Sequence, residues 1–416
     1  MLKLTMTWLK KHQDFFWIIL LISFAAAHLV YALKTNLFFS TDDFTVLSFV
    51  KDHNLTDIFF RFILQGDIFG FRKVLGYLVF KILFDFFKVN PLPYTLTNHF
   101  FHTLNLILLF LLIRKLHKNS FLAFFCALLF NKTYLFYFSN IHEYLVCFFS
   151  LVSILLVQTF PRKIYLALIS FSLALLTKEV SFAIPFFLLA LASLNKIKQK
   201  LLPGFFLLLF LYGLYQFSFF IKGQTLPTNF SYQITSSVKT ILTNFFFYLP
   251  PLVIASLASL VLLQKKFKTI FLFLTSLLPL IPIFFFPNRH ENYYFYFPSA
   301  LILLSLSFLL PKLTIKTSLF YILIFFIFGG RSVLPVIPKQ NYPNWQKQSI
   351  ENVLTTVKTA IINNPKTKTI DLKNLKLERD AALMLESGTL DLFLPNDLSS
   401  KYSFTYLANE KILKVI

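Results

Sequence analysis

Residues 14–43 read DFFWIILLISFAAAHLVYALKTNLFFSTDD. From Phe15 to Leu33 the stretch holds no acidic or basic group other than His28, and about twenty apolar residues is the length that crosses a bilayer core as a helix. Lys3, Lys10 and Lys11 precede it and no small-residue cleavage site follows, so the segment reads as a retained anchor rather than a removed signal peptide. Beyond Lys34 the chain leaves the apolar run and meets two adjacent carboxylates, Asp42 and Asp43.

The same alternation continues along the chain. Apolar spans are expected at 14–33, 94–113, 120–138, 141–160, 163–177, 180–194, 201–221, 241–263, 269–287, 293–310 and 317–334, about eleven in all, at the span length a bilayer requires. With 56% hydrophobic and 14% charged residues among 416, the chain is far from the roughly 25% charged content of soluble domains. The expected class is an all-α polytopic membrane protein. A water-soluble enzyme, a disordered chain and a transmembrane barrel are excluded, the last because barrel strands alternate and are less apolar. The formal charge of +22 does not point to nucleic acid, because Lys and Arg cluster between apolar spans where the positive-inside rule places them. Cys126 and Cys147, the two cysteines, lie inside apolar runs and form no disulfide framework or metal spacing.

Threading from a cytoplasmic N-terminus puts Arg114, Lys115, Lys118, Arg162, Lys163, Lys196, Lys198, Lys200, Lys265, Lys266, Lys268, Lys312 and Lys316 on the inside connections. The outside connections then carry Asp42, Asp43, Asp52, Asp57, Asp67, Asp85, Glu143, Glu179 and Glu291. The basic bias alone sets this orientation, N-terminus in and C-terminus out.

Two extramembrane parts follow, both outside. The first loop, 34–93, is much longer than an ordinary connection and is expected to hold elements of its own. Phe59, Phe60, Phe62, Ile63 and Leu64, and again Val74, Leu75, Leu78, Val79, Ile82 and Leu83, suggest amphipathic interfacial helices. The chain thus divides into a membrane domain, 1–335, and a small soluble tail, 336–416. In the tail Ile350, Val353, Leu354, Val357 and Ile361 fall on one helical face. A strand at Thr369–Leu372, a helix near Glu378–Glu386 and a hairpin around Asn409 complete a small α/β unit.

Ionisable groups at or below the membrane surface are costly and so are functional candidates. Asp42 and Asp43 could supply a general base or bind a divalent cation through oxygen; the alternative is a solvated loop or a helix cap set by Ser40 or Thr41. Glu143 follows His142 at the head of one span, Lys178-Glu179 fill a short outer connection, and Arg289, His290 and Glu291 precede Tyr293, Tyr294 and Tyr296. Each single charge has a structural reading as a snorkelling or ion-paired group; their shared membrane level is what favours a site. His99 and His102, i and i+3, are a possible metal pair or, more simply, a polar contact between helices. No Gly-rich phosphate loop, HExxH or GxSxG occurs.

The order of these motifs resembles the GT-C superfamily of polytopic glycosyltransferases, in particular the protein O-mannosyltransferase and transmembrane O-mannosyltransferase-like branch with its bacterial relatives. The resemblance covers roughly 10–310. It rests on Asp42-Asp43 in the first outer loop; on Phe71-Arg72-Lys73-Val74 in place of a Tyr-Arg-Pro-Leu-like stretch; and on Tyr94-Thr95-Leu96-Thr97-Asn98 followed by His102 and Asn105. Glu143, Lys178-Glu179 with Pro185, and Arg289 leading to Tyr296-Phe297-Pro298-Ser299 complete it. Lys73 stands for the family's Pro and Thr95 for its His, and the eukaryotic branch's C-terminal repeats are missing.

The resemblance implies an inverting transferase of the bacterial plasma membrane. Such an enzyme takes a hexose or mannose-like sugar from a polyprenyl-phosphate donor to an extracytoplasmic acceptor, a protein or a cell-envelope glycan or lipid. Asp42 or Asp43 would be the base; Arg289, Lys178, Arg72, Tyr293 and Tyr296 would face the donor; Glu143, Glu179, His102 and Asn98 would support them. No cofactor is required, although Mg or Mn could be held by Asp42 and Asp43. The rival reading is a transporter or flippase for lipid-linked saccharides, which calls for paired repeats and broken spans; no internal repeat is evident. A third is a noncatalytic scaffold presenting the tail.

Overall fold

A computed structural model describes residues 13–34, 39, 42–60, 74–131, 133, 138–221, 267–281, 292–308, 344–375, 377, 379–394, 398, 402–408 and 410–415. The chain is mostly helical. Helices α1 (Gln13–Lys34), α5 (Pro91–His117) and α7 (Ile141–Thr159) are long and apolar enough to cross a membrane. The first-loop helices are α2 (Asp42–Asp52), α3 (Leu55–Phe60) and α4 (Val74–Phe87). Between and after the long spans run α6 (Ser120–Asn131), α8 (Ile164–Thr177), α9 (Ala183–Ser193), α10 (Pro203–Ile221), α11 (Phe267–Leu277) and α12 (Tyr296–Leu306). Several of the expected spans are therefore shorter helices than the sequence suggests. At 1.5 Å per residue, α6 and α9 reach only about 17–18 Å, against a core of about 30 Å. The expected spans at 241–263 and 317–334 lie outside the described residues.

Local chemistry explains the best-defined boundaries. Asn90 caps α5, its side chain accepting from the Leu92 N–H at 3.1 Å, and Pro91 takes the first position, where a missing N–H costs nothing. At the far end Lys118 adopts a left-handed φ of 54° and donates its N–H to the Arg114 carbonyl, closing the helix as an αL cap does. Helix α7 ends at Phe160, and Pro161 starts the 3₁₀ turn that reverses the chain into α8. The two helices are then stitched by Ser153 Oγ donating to the Ala167 carbonyl (2.9 Å) and Ser170 Oγ to the Phe149 carbonyl (2.8 Å). Small hydroxyl residues at such a contact let backbones approach and hydrogen-bond where water is absent.

The core has two main parts. The bundle body packs Leu106, Leu109 and Phe110 of α5 with α6, α7, α8, α9 and α12. A second cluster lies at one end of the bundle. It joins Phe39, Phe44 and Leu47 of the first loop with Tyr77 and Phe80 of α4, Tyr94 of α5, Ile141 of α7 and residues of the tail. The opposite end holds polar contacts instead. Arg114 Nε donates to Asp14 (2.8 Å), Ser120 bonds the same carboxylate, Lys115 reaches Thr159, and His117 meets Ser307. These contacts join the ends of α1, α5, α6, α7 and α12.

The expected helix is present at α4 (Val74–Phe87). Val74, Tyr77, Phe80 and Phe84 turn inward, while Ile82, Phe86 and Phe87 are exposed.

In the tail, α13 (Asn344–Asn363) buries Ile350, Val353, Val357 and Ile361. Strand β1 (Thr369–Asp371) is followed by α14 (Arg379–Glu386). Strands β2 (Phe404–Leu407) and β3 (Ile412–Val415) form an antiparallel hairpin with Phe404 opposite Val415. The sheet order is β1-β3-β2, with Thr369 opposite Lys414. The expected helix, strand, helix and hairpin are all present. Their apolar faces do not close on themselves alone, since they share a core with α2 and α4.

Candidate functional site

The site is built at the pole where the first loop and the tail gather. The tight turn at Phe160–Lys163 makes α7 and α8 antiparallel, so the first turn of α7 lies beside the last turn of α8. Glu143 occupies the former and Lys178 follows the latter. Helix dipoles favour an anion at an N-terminus and a cation at a C-terminus, so each charge sits at the helix end that suits it. Lys178 leaves α8 in an extended conformation (φ −162°, ψ 139°), its N–H still bonded to the Ala174 carbonyl at 3.0 Å. This turns the side chain back onto Glu143, and Lys178 Nζ donates to Glu143 Oε1 in a buried ion pair.

Both partners are almost wholly enclosed, with side chains 4% and 5% exposed. The Tyr294 ring, from the 3₁₀ turn Asn292–Phe295, covers the ammonium at 4.9 Å, a cation–π contact strengthened by desolvation. Burial alone would push the Lys178 ammonium down. The charges of Glu143 and Glu179 and the hydrogen bond to Glu143 oppose it and hold the group above its ordinary value, so it stays charged. Glu179 opens the next 3₁₀ turn, and its Oε2 is buried without a hydrogen-bond partner among the described residues.

His142 precedes this pair and packs against α4. Its ring lies over Gly76 so closely that a Cβ there would overlap Nδ1 and Cε1, and the Tyr77 ring stands 5.4 Å away. Only glycine allows this approach. Gly76 therefore sets how near the first-loop helix comes to Glu143.

Asp43 lies in the layer above. Helix α2 starts at Asp42, and Asp43 is 1% exposed in its first turn. Phe44 and Phe39 are buried beside it, and Tyr94 of α5 lies within reach of its charge. Helix α2 thus includes Asp42 and Asp43, and Asp43 is not a solvated group. Asp42 begins α2, and its side chain falls outside the described residues, as do Ser40 and Thr41.

A further polar chain crosses the bundle interior. Asn105 Nδ2 donates to Tyr296 Oη (3.2 Å) and to the Tyr144 carbonyl (2.9 Å). His102 Nδ1 meets Tyr296 Oη at 2.9 Å and its Nε2 meets Asn131 Oδ1 at 3.1 Å. One assignment satisfies these groups together: Tyr296 donates to His102 Nδ1 and the His102 Nε2–H donates to Asn131. The chain joins α5, α6 and α12. The polar-contact reading of His102 is thereby the one the geometry favours. Asn98 Nδ2 donates to the Phe138 carbonyl at 3.4 Å, holding the segment that leads into α7.

The expected residues therefore fall into distinct places. Glu143 and Lys178 meet directly under the ring of Tyr294, with Glu179 next to them and Asp43 at the same pole across α4. Tyr296, expected at the donor, is fully buried with its hydroxyl turned to His102 and Asn105. Tyr293 shares the turn with Tyr294, but its side chain is outside the described residues; Arg72 and Arg289 lie outside them altogether. Among the described residues, no three His, Cys, Asp or Glu side chains gather as a metal-binding group. Sequence reading missed Gly76 and Asn131, and gave the role at this turn to Tyr293 and Tyr296 rather than to Tyr294. For Asn131 the available signal was an amide ending an apolar run; for Gly76 there was none.

Comparison with known proteins finds no matching family model, no matching curated protein and no matching solved structure.

Proposed function

We propose that the chain is an inverting, GT-C-like glycosyltransferase of the bacterial plasma membrane, with about eleven spans, a cytoplasmic N-terminus and an extracytoplasmic tail. It moves a hexose or mannose-like sugar from a polyprenyl-phosphate carrier to an extracytoplasmic acceptor, a protein or an envelope glycan or lipid. The observation that carries this reading is the concentration of enclosed charge at one pole. Asp43, Glu143 and Lys178 come from three separate elements and are all buried where the long first loop packs. Charges in such surroundings are expensive, and a chain that keeps several together at one end is using them.

In the reaction the acceptor oxygen attacks C1 of the sugar as the C1–O bond to phosphate breaks. The bonding pair leaves with the polyprenyl phosphate, and the acceptor's proton passes to Asp42 or Asp43. Arg289 and Arg72 are the cations proposed to stabilise the departing phosphate. Lys178, already held by Glu143, would reach a phosphate by exchanging partners, and Glu179 lies beside it to receive the change. Asp42 and Asp43 are the residues that would hold a divalent cation, should the reaction use one.

The direct test is to incubate purified protein with a panel of polyprenyl-phosphate sugars and an acceptor mixture. Transfer, or slow release of sugar to water, from one donor class is expected; inertness toward every donor overturns the proposal. Reporter fusions after Lys200 and Ile416 should read cytoplasmic and extracytoplasmic. The reverse pattern would put Asp42 and Asp43 on the wrong side for this chemistry.

A further inference from the structure

Helix α2 carries the two first-loop carboxylates, and the tail grips it near both ends. Near its start, the Phe393 ring meets Phe44 at 6.0 Å and Phe39 at 6.1 Å, both edge to face. In its last turn, Lys51 Nζ pairs with Asp391 Oδ2 at 2.7 Å and also reaches the Gly388 carbonyl at 3.5 Å. Gly388 has a positive φ of 66° just past α14, a conformation that suits glycine and ends the helix there. Asp391 and Phe393 both belong to the short 3₁₀ turn Leu390–Phe393, whose Leu390 is buried in the core shared by tail and first loop.

One turn of the tail therefore contacts α2 near both ends. Among the described residues, α2 also packs on α4 and on the segment Phe138–Asn140. An 11-residue helix is marginal by itself, so its position depends on what encloses it.

We infer that the C-terminal tail is a clamp on the carboxylate helix: Phe393 and Asp391 are positioning residues that fix Asp42 and Asp43 relative to the Glu143–Lys178 pole. The inference rests on the glycosyltransferase reading for its catalytic consequence, but the clamp itself can be measured without it. Positioning errors of about 1 Å cost on the order of a hundredfold in rate, so loosening the helix lowers turnover while the donor still binds.

The experiment compares the intact chain with Phe393→Ala, Lys51→Glu, Asp391→Lys and the double reversal Lys51→Glu with Asp391→Lys. Amide hydrogen exchange over 44–51 is read alongside sugar transfer and its split between kcat and KM. Faster exchange is expected in Phe393→Ala and in each single reversal. Turnover should fall about tenfold or more, with KM for the donor unchanged. The double reversal should recover both exchange protection and kcat, an outcome a merely misfolded tail would not give. Exchange over 44–51 that is unaltered in Phe393→Ala and in both single reversals overturns the clamp. A double reversal no better protected than the singles overturns the Lys51–Asp391 contact as its second grip. If exchange responds as expected and the intact chain transfers no sugar from any donor, the clamp stands and the transferase reading falls.

Discussion

The two poles of the bundle treat charge in opposite ways. At the pole with Asp14, Arg114 and Ser120, the ion pair is half open to its surroundings, with side chains 32% and 46% exposed, and its neighbours Lys115 and Thr159 are exposed as well. At the other, Lys178 and Glu143 are enclosed by helix ends and a tyrosine ring. An open pair contributes little to stability and loses little when broken. An enclosed pair has already lost its hydration, so its partners depend on each other. A fold that needed only stability would fill the second pole with apolar side chains of equal volume, which is often neutral or better. Under the proposed transferase reading, the enclosed pole is the working one and the open pole the structural one.

The contrast can be broken most severely at the carboxylates. Asp→Asn keeps size and removes the charge that takes a proton, and losing a general base costs about 10²–10⁴-fold in rate. Asp42→Asn or Asp43→Asn, one much more than the other, should lose transfer in a steady-state assay while donor binding persists. If neither falls tenfold, the enclosed pole is structural.

Glu143→Gln comes next. It strands the Lys178 ammonium in a buried site, and removing one partner of such a pair costs about 3–5 kcal/mol, read as a lowered midpoint of thermal unfolding in detergent. Glu143→Gln combined with Lys178→Met should recover most of that stability without recovering transfer. Recovery of transfer as well would mean the pair only supports the fold.

Gly76→Ala should cost about 1–3 kcal/mol through overpacking against the His142 ring. Adding His142→Ala should relieve the strain in the same unfolding measurement. Asp14→Asn, at the open pole, is the smallest change: under about 1 kcal/mol, with no change in transfer. A loss there as large as that of Glu143→Gln would erase the distinction between the poles.

Much of the architecture was legible because membrane spans are written as local composition. The run Phe15–Leu33 could hardly be anything but a helix in lipid, and the tail's Ile350, Val353, Val357 and Ile361 announce one buried face. What could not be read was distance between elements. Glu143 and Lys178 were assigned to one level by counting spans, yet their direct contact depends on the reversal at Pro161 and the extended backbone of Lys178. Gly76 carries no pattern at all, since a glycine in an apolar helix looks the same whether or not a ring lies over it. The inward face of α4, with Tyr77, Phe80 and Phe84, could not be picked out, because in a sequence so rich in large apolar residues every face of a helix looks like a core. Where composition saturates, amphipathic phase stops being informative.

The hairpin of α7 and α8 also bears on how the chain enters the bilayer during synthesis. Glu143 leads its first arm and Lys178 closes its second, so the two charges reach the insertion machinery at different times and with opposite sign. Admitted singly, each would face lipid as a bare ion, at the expense that membrane interiors impose on charge. Admitted as a folded hairpin, they arrive already neutralised, one dipolar unit with no net charge to move. Under the proposed topology the pair is thus a reason for these two helices to insert together, and Glu143→Gln should lower the yield of inserted protein as well as its unfolding midpoint.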